Sequence, residues 1–446
     1  TYRLATNVTV TEKTTVGGWA SSRPETPAKV LTLDLNGHTI TATNGQAFFV
    51  QTSGGLVIED SKGNGKITNQ DAGSSNLIYV GGSFELKSGT LENAASNGYA
   101  LFLNSSSTAT LSGGTVINTA KGGSAVQVNS SANLTMTAGE IQNTVDGGNA
   151  VYVNGNAGTF TMEGGKVTQE STYSSSAAIY ANNSATSVSI SGGEVVSNSM
   201  GVYAAFTPVS VTGGTFQTKS HAFQTRNTTI EPAAGKTVSV DSEGAVFYTF
   251  SESNNKIVDG EFTAPALTKS YTQEEASNLT VSGGTFDIQN IAASTNDNSE
   301  ITISGGTFEK AVPDLDRYLD TDKEIQIQPD GSLIVGESSG ETPADPVSVT
   351  INGGETNSFG TLAAAIEEVN KASAGDSITV SLGKDQIVTE TIQINKDLNV
   401  TLDLGGKTLR GPDSGYTIQF GSFDKGGAAK PEDCEYTNSG TLTLTN

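Results

Sequence analysis

The sequence predicts an all-β chain wound as a right-handed parallel β-helix, and three observations lead there. The first is a near-identical hexad, "VTGGTF" at 211–216, "VSGGTF" at 281–286 and "ISGGTF" at 303–308. The second is its period. The last glycine of each such corner falls at 65, 89, 114, 139, 165, 193, 214, 260, 284 and 306, giving gaps of 24, 25, 25, 26, 28, 21, 46, 24 and 22. The third is composition. With 35% hydrophobic residues and 52 glycines in 446 residues, the chain is too lean for one deep core but suits a thin core strip reused coil after coil.

Each coil of about 24 residues carries readable strands. Around the corner, "LTMTAGEIQN" alternates, with Leu134 and Met136 before the glycine and Ile141 after it. The residue two places past the corner is apolar each time: Ile67, Leu91, Val116, Ile141, Val167, Val195, Phe216, Phe262, Phe286 and Phe308. Stacked coils place these in one inward ladder. The gap of 46 is two periods, with a degenerate coil in "KTVSVDSEGAVFYTF". The right hand follows from the chirality of parallel crossovers. A strand follows every doubled glycine, whereas a phosphate cradle needs a helix start, so the glycines read as bends. Four residues beyond the corner stand Asn69, Asn93, Asn118 and Asn143, then Gln169, and a second series is Asn104, Asn129 and Asn154. Stacked amides of this kind bond along the axis and satisfy turn backbones.

The first module is expected over 1–335, with "EKAVPDLDRYLDTDKEIQIQPDGSLIVG" breaking the period as a cap at 309–335. "GESSGETPADP" at 336–346 has linker composition. Beyond it, 347–446 reads as the start of a second β-helix. Phe359, Leu362, Ala363, Ile366 and Val369 have helical spacing, which predicts a capping α-helix near 358–372 with Ser358 at its start and Gly375 past its end. Then "VTLDLGGKTLRG" at 400–411 mirrors "LTLDLNGHTITA" at 31–42, and "SGTLTLTN" at 439–446 mirrors "SGGLVIED" at 53–60.

Lysine plus arginine number 24 against 47 acids, a formal charge of -23 that never gathers into a block. Such a solvated acidic surface excludes nucleic acid as a partner, since its binders cluster Lys and Arg. No run of 18 apolar residues predicts a membrane span. The lone Cys434 rules out a disulfide within the chain, and a Thr/Ser/Asn/Gly-rich, thiol-poor composition suits an exported protein. A monomer is expected.

The "TLDLNGHTI" strand, the "SGGTF" corners and the "VPDLDRYLD" stretch resemble pectate-lyase-like right-handed β-helix modules of large cell-surface proteins from Gram-positive gut bacteria. The resemblance spans 1–335 and again 347–446. It implies an extracellular location, with cell-wall attachment through regions outside this segment. It does not fix an activity, because the fold carries lyases, hydrolases and adhesins alike.

Catalytic signatures of such enzymes are missing from the sequence pattern. No Asp pair recurs at the coil period, as the two flanking carboxylates of a glycosidase require. His38 matches Lys407 of the second copy, a solvent position, and His221 beside Arg226 is the one basic pairing. "DLDRYLDTDKE" is acid-rich enough to offer Ca²⁺ ligands, but its spacing matches neither an EF-hand nor the glycine–aspartate nonapeptide of calcium β-rolls, so no cofactor is expected and Ca²⁺ is left as an unsupported option. One feature points to recognition. The outward positions of one strand series are Phe49, Tyr79, Phe102, Gln127, Tyr152, Tyr180, Tyr203, Gln224 and Phe247. An aromatic stripe on a Ser/Thr-rich surface is an expected platform for a glycan or a host surface protein. The sequence-level expectation is therefore a non-catalytic adhesin or stalk. A polysaccharide-degrading enzyme and a passive spacer are the alternatives.

Overall fold

The computed structural model describes residues 1–19, 29–70, 73–183, 186–270, 277–293, 299–328, 330–338, 347–388, 390–395, 397–411, 416–420, 423–424, 435–436 and 441–445. It is 56% strand and 3% helix, a parallel β-solenoid of about 14 turns with roughly 25 residues per coil. Two compact units are present, Thr1–Ile303 and Ser304–Asn446.

In the first unit each coil contributes one strand to each of three parallel sheets. The sheet before the glycine bend stacks Leu86, Leu111, Met136, Met162, Ile190, Val211, Ile230, Ile257, Val281 and Ile303 in register. The sheet after the bend stacks Ile67, Leu91, Val116, Ile141, Val167, Val195, Phe216, Val240, Phe262 and Phe286. Val240 fills the rung that the sequence marks as degenerate. A third sheet stacks Ile78, Leu101, Val126, Val151, Ile179, Val202, Phe223 and Phe247. These three inward ladders make the core, and none of their residues is more than 1% exposed. Alternation does the work, since every second residue of a strand faces inward.

The doubled glycines have two different reasons. At Gly113 a Cβ would lie 2.1 Å from the Lys87 carbonyl oxygen of the coil beneath, a close approach that only a bare Cα permits. At Gly114 the backbone has φ +71, the left-handed region that turns one strand into the next. The bends are scaffold, as their spacing implies.

The predicted amide ladder is buried and continuous. Asn69 donates to Asn93 at 3.0 Å, Asn93 to Asn118, Asn118 to Asn143 and Asn143 to Gln169, each of these last three at 2.7 Å. The same Nδ2 groups reach the turn carbonyls of Ala95, Ala120 and Val145. The row then changes chemistry. Ser197, Thr218 and Ser242 occupy the following rungs, and Thr218 donates to Ser242 at 3.0 Å.

In the second unit, Gly306–Phe308 and Lys323–Ile327 flank Leu333–Glu337 in an antiparallel arrangement, with a short 3-10 helix at Leu315–Tyr318. Strand direction thus reverses within 306–337, where the sequence breaks its period. The linker prediction falls mostly on 339–346, outside the described residues. Farther on, Ser377–Leu382, Asn399–Asp403 and Thr441–Thr445 stack in parallel, as do Gln386–Ile387 with Leu409–Arg410 and Ile392–Ile394 with Ile418–Phe420. Three parallel sheets begin again. The mirrored sequences even pair alike: Leu31 faces Leu56, and Val400 faces Leu442.

The capping helix is shorter than predicted, Leu362–Val369, and Thr361 is its N-cap, accepting from the Ala364 N–H at 3.2 Å. Ser358 and Phe359 instead end a strand, Thr356–Phe359, that pairs antiparallel with Val347–Ile351. The hairpin claims their backbone groups, and Gly375, φ +86, lies in the turn before the next strand. Leu362, Ala365, Ile366 and Val369 are buried as the helical spacing requires.

Asn118→Ala removes one amide from the buried row and leaves Asn93 and Asn143 each short of a partner. We expect a loss of about 2–3 kcal/mol in denaturant-induced unfolding followed by circular dichroism, since orphaned buried polar groups cost that much. Asn154→Ala, at an exposed position, serves as the control and changes stability by less than about 0.5 kcal/mol.

Candidate functional site

The outward side of the third sheet carries the aromatic stripe. Register places Thr15, Phe49, Tyr79, Phe102, Gln127, Tyr152, Tyr180, Tyr203 and Gln224 one above another. Six of the predicted rings, Phe49, Tyr79, Phe102, Tyr152, Tyr180 and Tyr203, therefore share one face, and all six are half-buried. The seventh does not. Phe247 is fully buried and pairs in register with Phe223, so the outward residue of that coil is Tyr248. At "VFYT" two adjacent aromatics fit either face by alternation alone, and a shift of one residue inverts every side chain.

The rings touch. Phe49 and Tyr79 lie 4.9 Å apart between centroids, Tyr79 and Phe102 5.3 Å, Tyr152 and Tyr180 5.4 Å. Tyr180 and Tyr203 stack at 4.5 Å with an interplanar angle of 8°. Gln127, only 7% exposed, separates the two runs. Tyr99 packs beside Phe102. Burial, and then the neighbouring Tyr180, pushes the Tyr152 hydroxyl above its ordinary value, and Tyr99 is raised by burial and by Tyr152. Both therefore stay protonated near neutrality and can donate. The second asparagine series edges this face: Asn129 donates to Asn104 at 3.1 Å, and Asn104 donates to the Tyr79 hydroxyl.

Three aromatic neighbours escape strand alternation because they lie beyond strand ends. Trp19, 73% exposed, stands against Phe49 at 5.8 Å and 61°. Phe250 meets the Tyr203 ring edge-on at 5.8 Å. Phe206, 54% exposed, lies under the Arg226 guanidinium, 5.1 Å from its ring centroid. An open groove of about 650 Å³ runs beside Phe49 and Tyr79.

The basic pairing resolves into two separate environments. Arg226 lies over Phe206 and Phe250. His221 stacks on Tyr248 at 4.6 Å and accepts the Ala245 N–H at Nδ1, 3.0 Å away. Burial and the Lys269 ammonium lower its pKa to about 4. At neutral pH the ring is uncharged and held in one tautomer.

The buried acids are committed to the scaffold. Asp34 receives the Arg3 Nε at 2.7 Å, the Asn36 N–H at 2.8 Å and the Ser61 N–H at 3.0 Å. Burial raises its pKa, but the Ser61 and Asn36 N–H groups and Arg3 outweigh that and bring it to about 2. Asp60 takes the N–H groups of Gly37 and Gly65. Among the described residues no three of His, Cys, Asp or Glu gather as a metal would need. In the acid-rich stretch, Lys323 pairs with Asp322 and Glu337. Cys434 lies outside the described residues. No described helix is long and apolar enough to cross a membrane. Compared with protein-family models, curated proteins and solved structures, the chain matches none.

The His221 environment predicts a pH effect with a definite sign. Its folded pKa, about 4, lies below the ordinary 6.5, so the unfolded chain binds more protons between those values. Stability is complete above pH 6.5 and declines as pH falls toward 4, by about 1–2 kcal/mol. His221→Gln, which can still accept from Ala245, removes that part of the slope in urea melts at stepped pH. An unchanged slope contradicts the assignment.

Proposed function

We propose that this chain is a non-catalytic extracellular binding module, a β-solenoid that presents its outward aromatic stripe to a glycan chain. The reading extends the resemblance to pectate-lyase-like modules of bacterial cell-surface proteins, with attachment to the cell wall through regions outside this segment. One observation carries it: six rings in register on one face, half-exposed, with tyrosine hydroxyls and asparagine amides along their edge. Aromatic faces take the apolar C–H face of a sugar, and the polar edge takes its hydroxyls. The axial repeat of coils near 4.8 Å lets one extended polymer lie along many rings at once. Support for binding over hydrolysis comes from the acids, since the buried Asp34 and Asp60 are used on backbone N–H groups and not aimed at a shared space.

A glycan array probed with the wild-type segment and with F49L/Y79L/Y180L/Y203L tests the reading. Leucine keeps apolar bulk on the strand while removing the flat ring. We expect binding to at least one polysaccharide class, weakened 10- to 100-fold in the variant, as for loss of hot-spot aromatics. Near-native circular dichroism should accompany that loss. An array with no bound glycan, or binding that the variant keeps, contradicts the proposal.

A further inference from the structure

The stripe is not uniform, and its irregular end has the features of a subsite. In register below Phe49, the outward residue of the first coil is Thr15. A small hydroxyl side chain stands where the next coils carry rings, and the groove of about 650 Å³ opens there against Phe49 and Tyr79. Trp19, 73% exposed, stands at 61° to Phe49, so the two rings form a corner instead of a stack. The Lys13 ammonium lies 4.7 Å from the Phe49 centroid.

Two polar side chains of the lining are free. Among the described residues, the side-chain amides of Gln46 and Asn76 have no hydrogen-bond partner within the protein, unlike the paired amides of the buried ladder. Both line the groove, beside Glu12 and Lys13. The formal charge of those two residues cancels, and the chain as a whole carries -23. Nothing in the lining therefore favours an anionic ligand. Two tilted aromatic rings in the lining, Trp19 set at an angle against one of them, and unpaired amides that both donate and accept match a neutral polyol, whose rings show one C–H face and paired hydroxyls. An apolar ligand would want a drier pocket.

We propose that this groove is the anchoring subsite for a neutral oligosaccharide, with a sugar ring on Phe49 and Tyr79, Trp19 at its side, and Gln46 and Asn76 bonding its hydroxyls. The inference rests on the glycan-binding reading and narrows it to one end of the stripe and one class of ligand. Rings farther along extend the contact but do not anchor it.

Trp19 is the chain's one tryptophan and packs against Phe49 of the groove lining, so its emission reports on the groove through that contact. The segment is titrated with cellotetraose, xylotetraose and mannotetraose, and with trigalacturonate and sialyllactose as acidic counterparts. We expect a neutral probe to shift Trp19 emission, Q46A/N76A to weaken that probe at least tenfold, and Y180L/Y203L to weaken it less than threefold. Thr15→Tyr, which fills the groove at an exposed position, should also abolish the shift, and circular dichroism verifies that each variant folds. If a neutral probe binds but Q46A/N76A and Thr15→Tyr leave its affinity unchanged, or if an acidic probe binds tighter, the subsite is overturned while the glycan-binding reading survives. If neither these probes nor the array bind, both are overturned.

Discussion

Every coil must lie on the one beneath it at strand spacing, and that constraint governs the rest of the molecule. Parallel stacking brings each residue opposite its counterpart one coil away, so a position is chosen for contact with a copy of its own environment. At the bend, the counterpart is a backbone carbonyl too close for a Cβ, and glycine recurs. Inside the turn, the counterpart is another amide. Asparagine can donate to the next rung while accepting from the last, so a column of them satisfies itself. A single valine or leucine would pack as well there but would strand the turn carbonyls of Ala95, Ala120 and Val145 without a donor.

The same constraint acts on the outer face with a different result. An aromatic ring on an outward position finds another ring about one strand spacing above, and the pair shields itself from water on one side. That is why the six rings are half-buried with no covering layer required of them. Self-stacking alone accounts for part of the stripe. It does not account for Trp19, which meets Phe49 at 61° and is largely exposed, or for the Gln46 and Asn76 amides of the groove, which bond to nothing in the protein.

Periodicity is what made the fold legible. The glycine spacing, the inward ladders and the amide row are each repeated often enough that chance alternation at one coil does not matter, and the mirrored strands at 31–42 and 400–411 pair as their sequences suggest. Features that occur once were not legible. The helix start depended on which of Ser358 or Thr361 caps it, and that was decided by a hairpin formed with residues before it. Phe247 and Tyr248 could be told apart only through the register with Phe223. Trp19, Phe206 and Phe250 lie past the ends of strands, where alternation carries no information, and the unpaired state of Gln46 and Asn76 is a property of neighbours that sequence cannot place.

A perfectly regular solenoid presents a flat or convex face, because each coil repeats the outline of the last. Concavity requires a coil whose side chain is shorter than those above it. In the first coil the series of rings gives way to Thr15, and the groove lies there, lined by Phe49 and Tyr79 together with the polar Glu12, Lys13 and Asn44. The repeat thus supplies rigidity and a long aromatic track, while the break in the repeat supplies the enclosure that gives a ligand orientation. In such a molecule the residues that depart from the pattern are the ones to examine for recognition, since those that keep it are already explained by stacking.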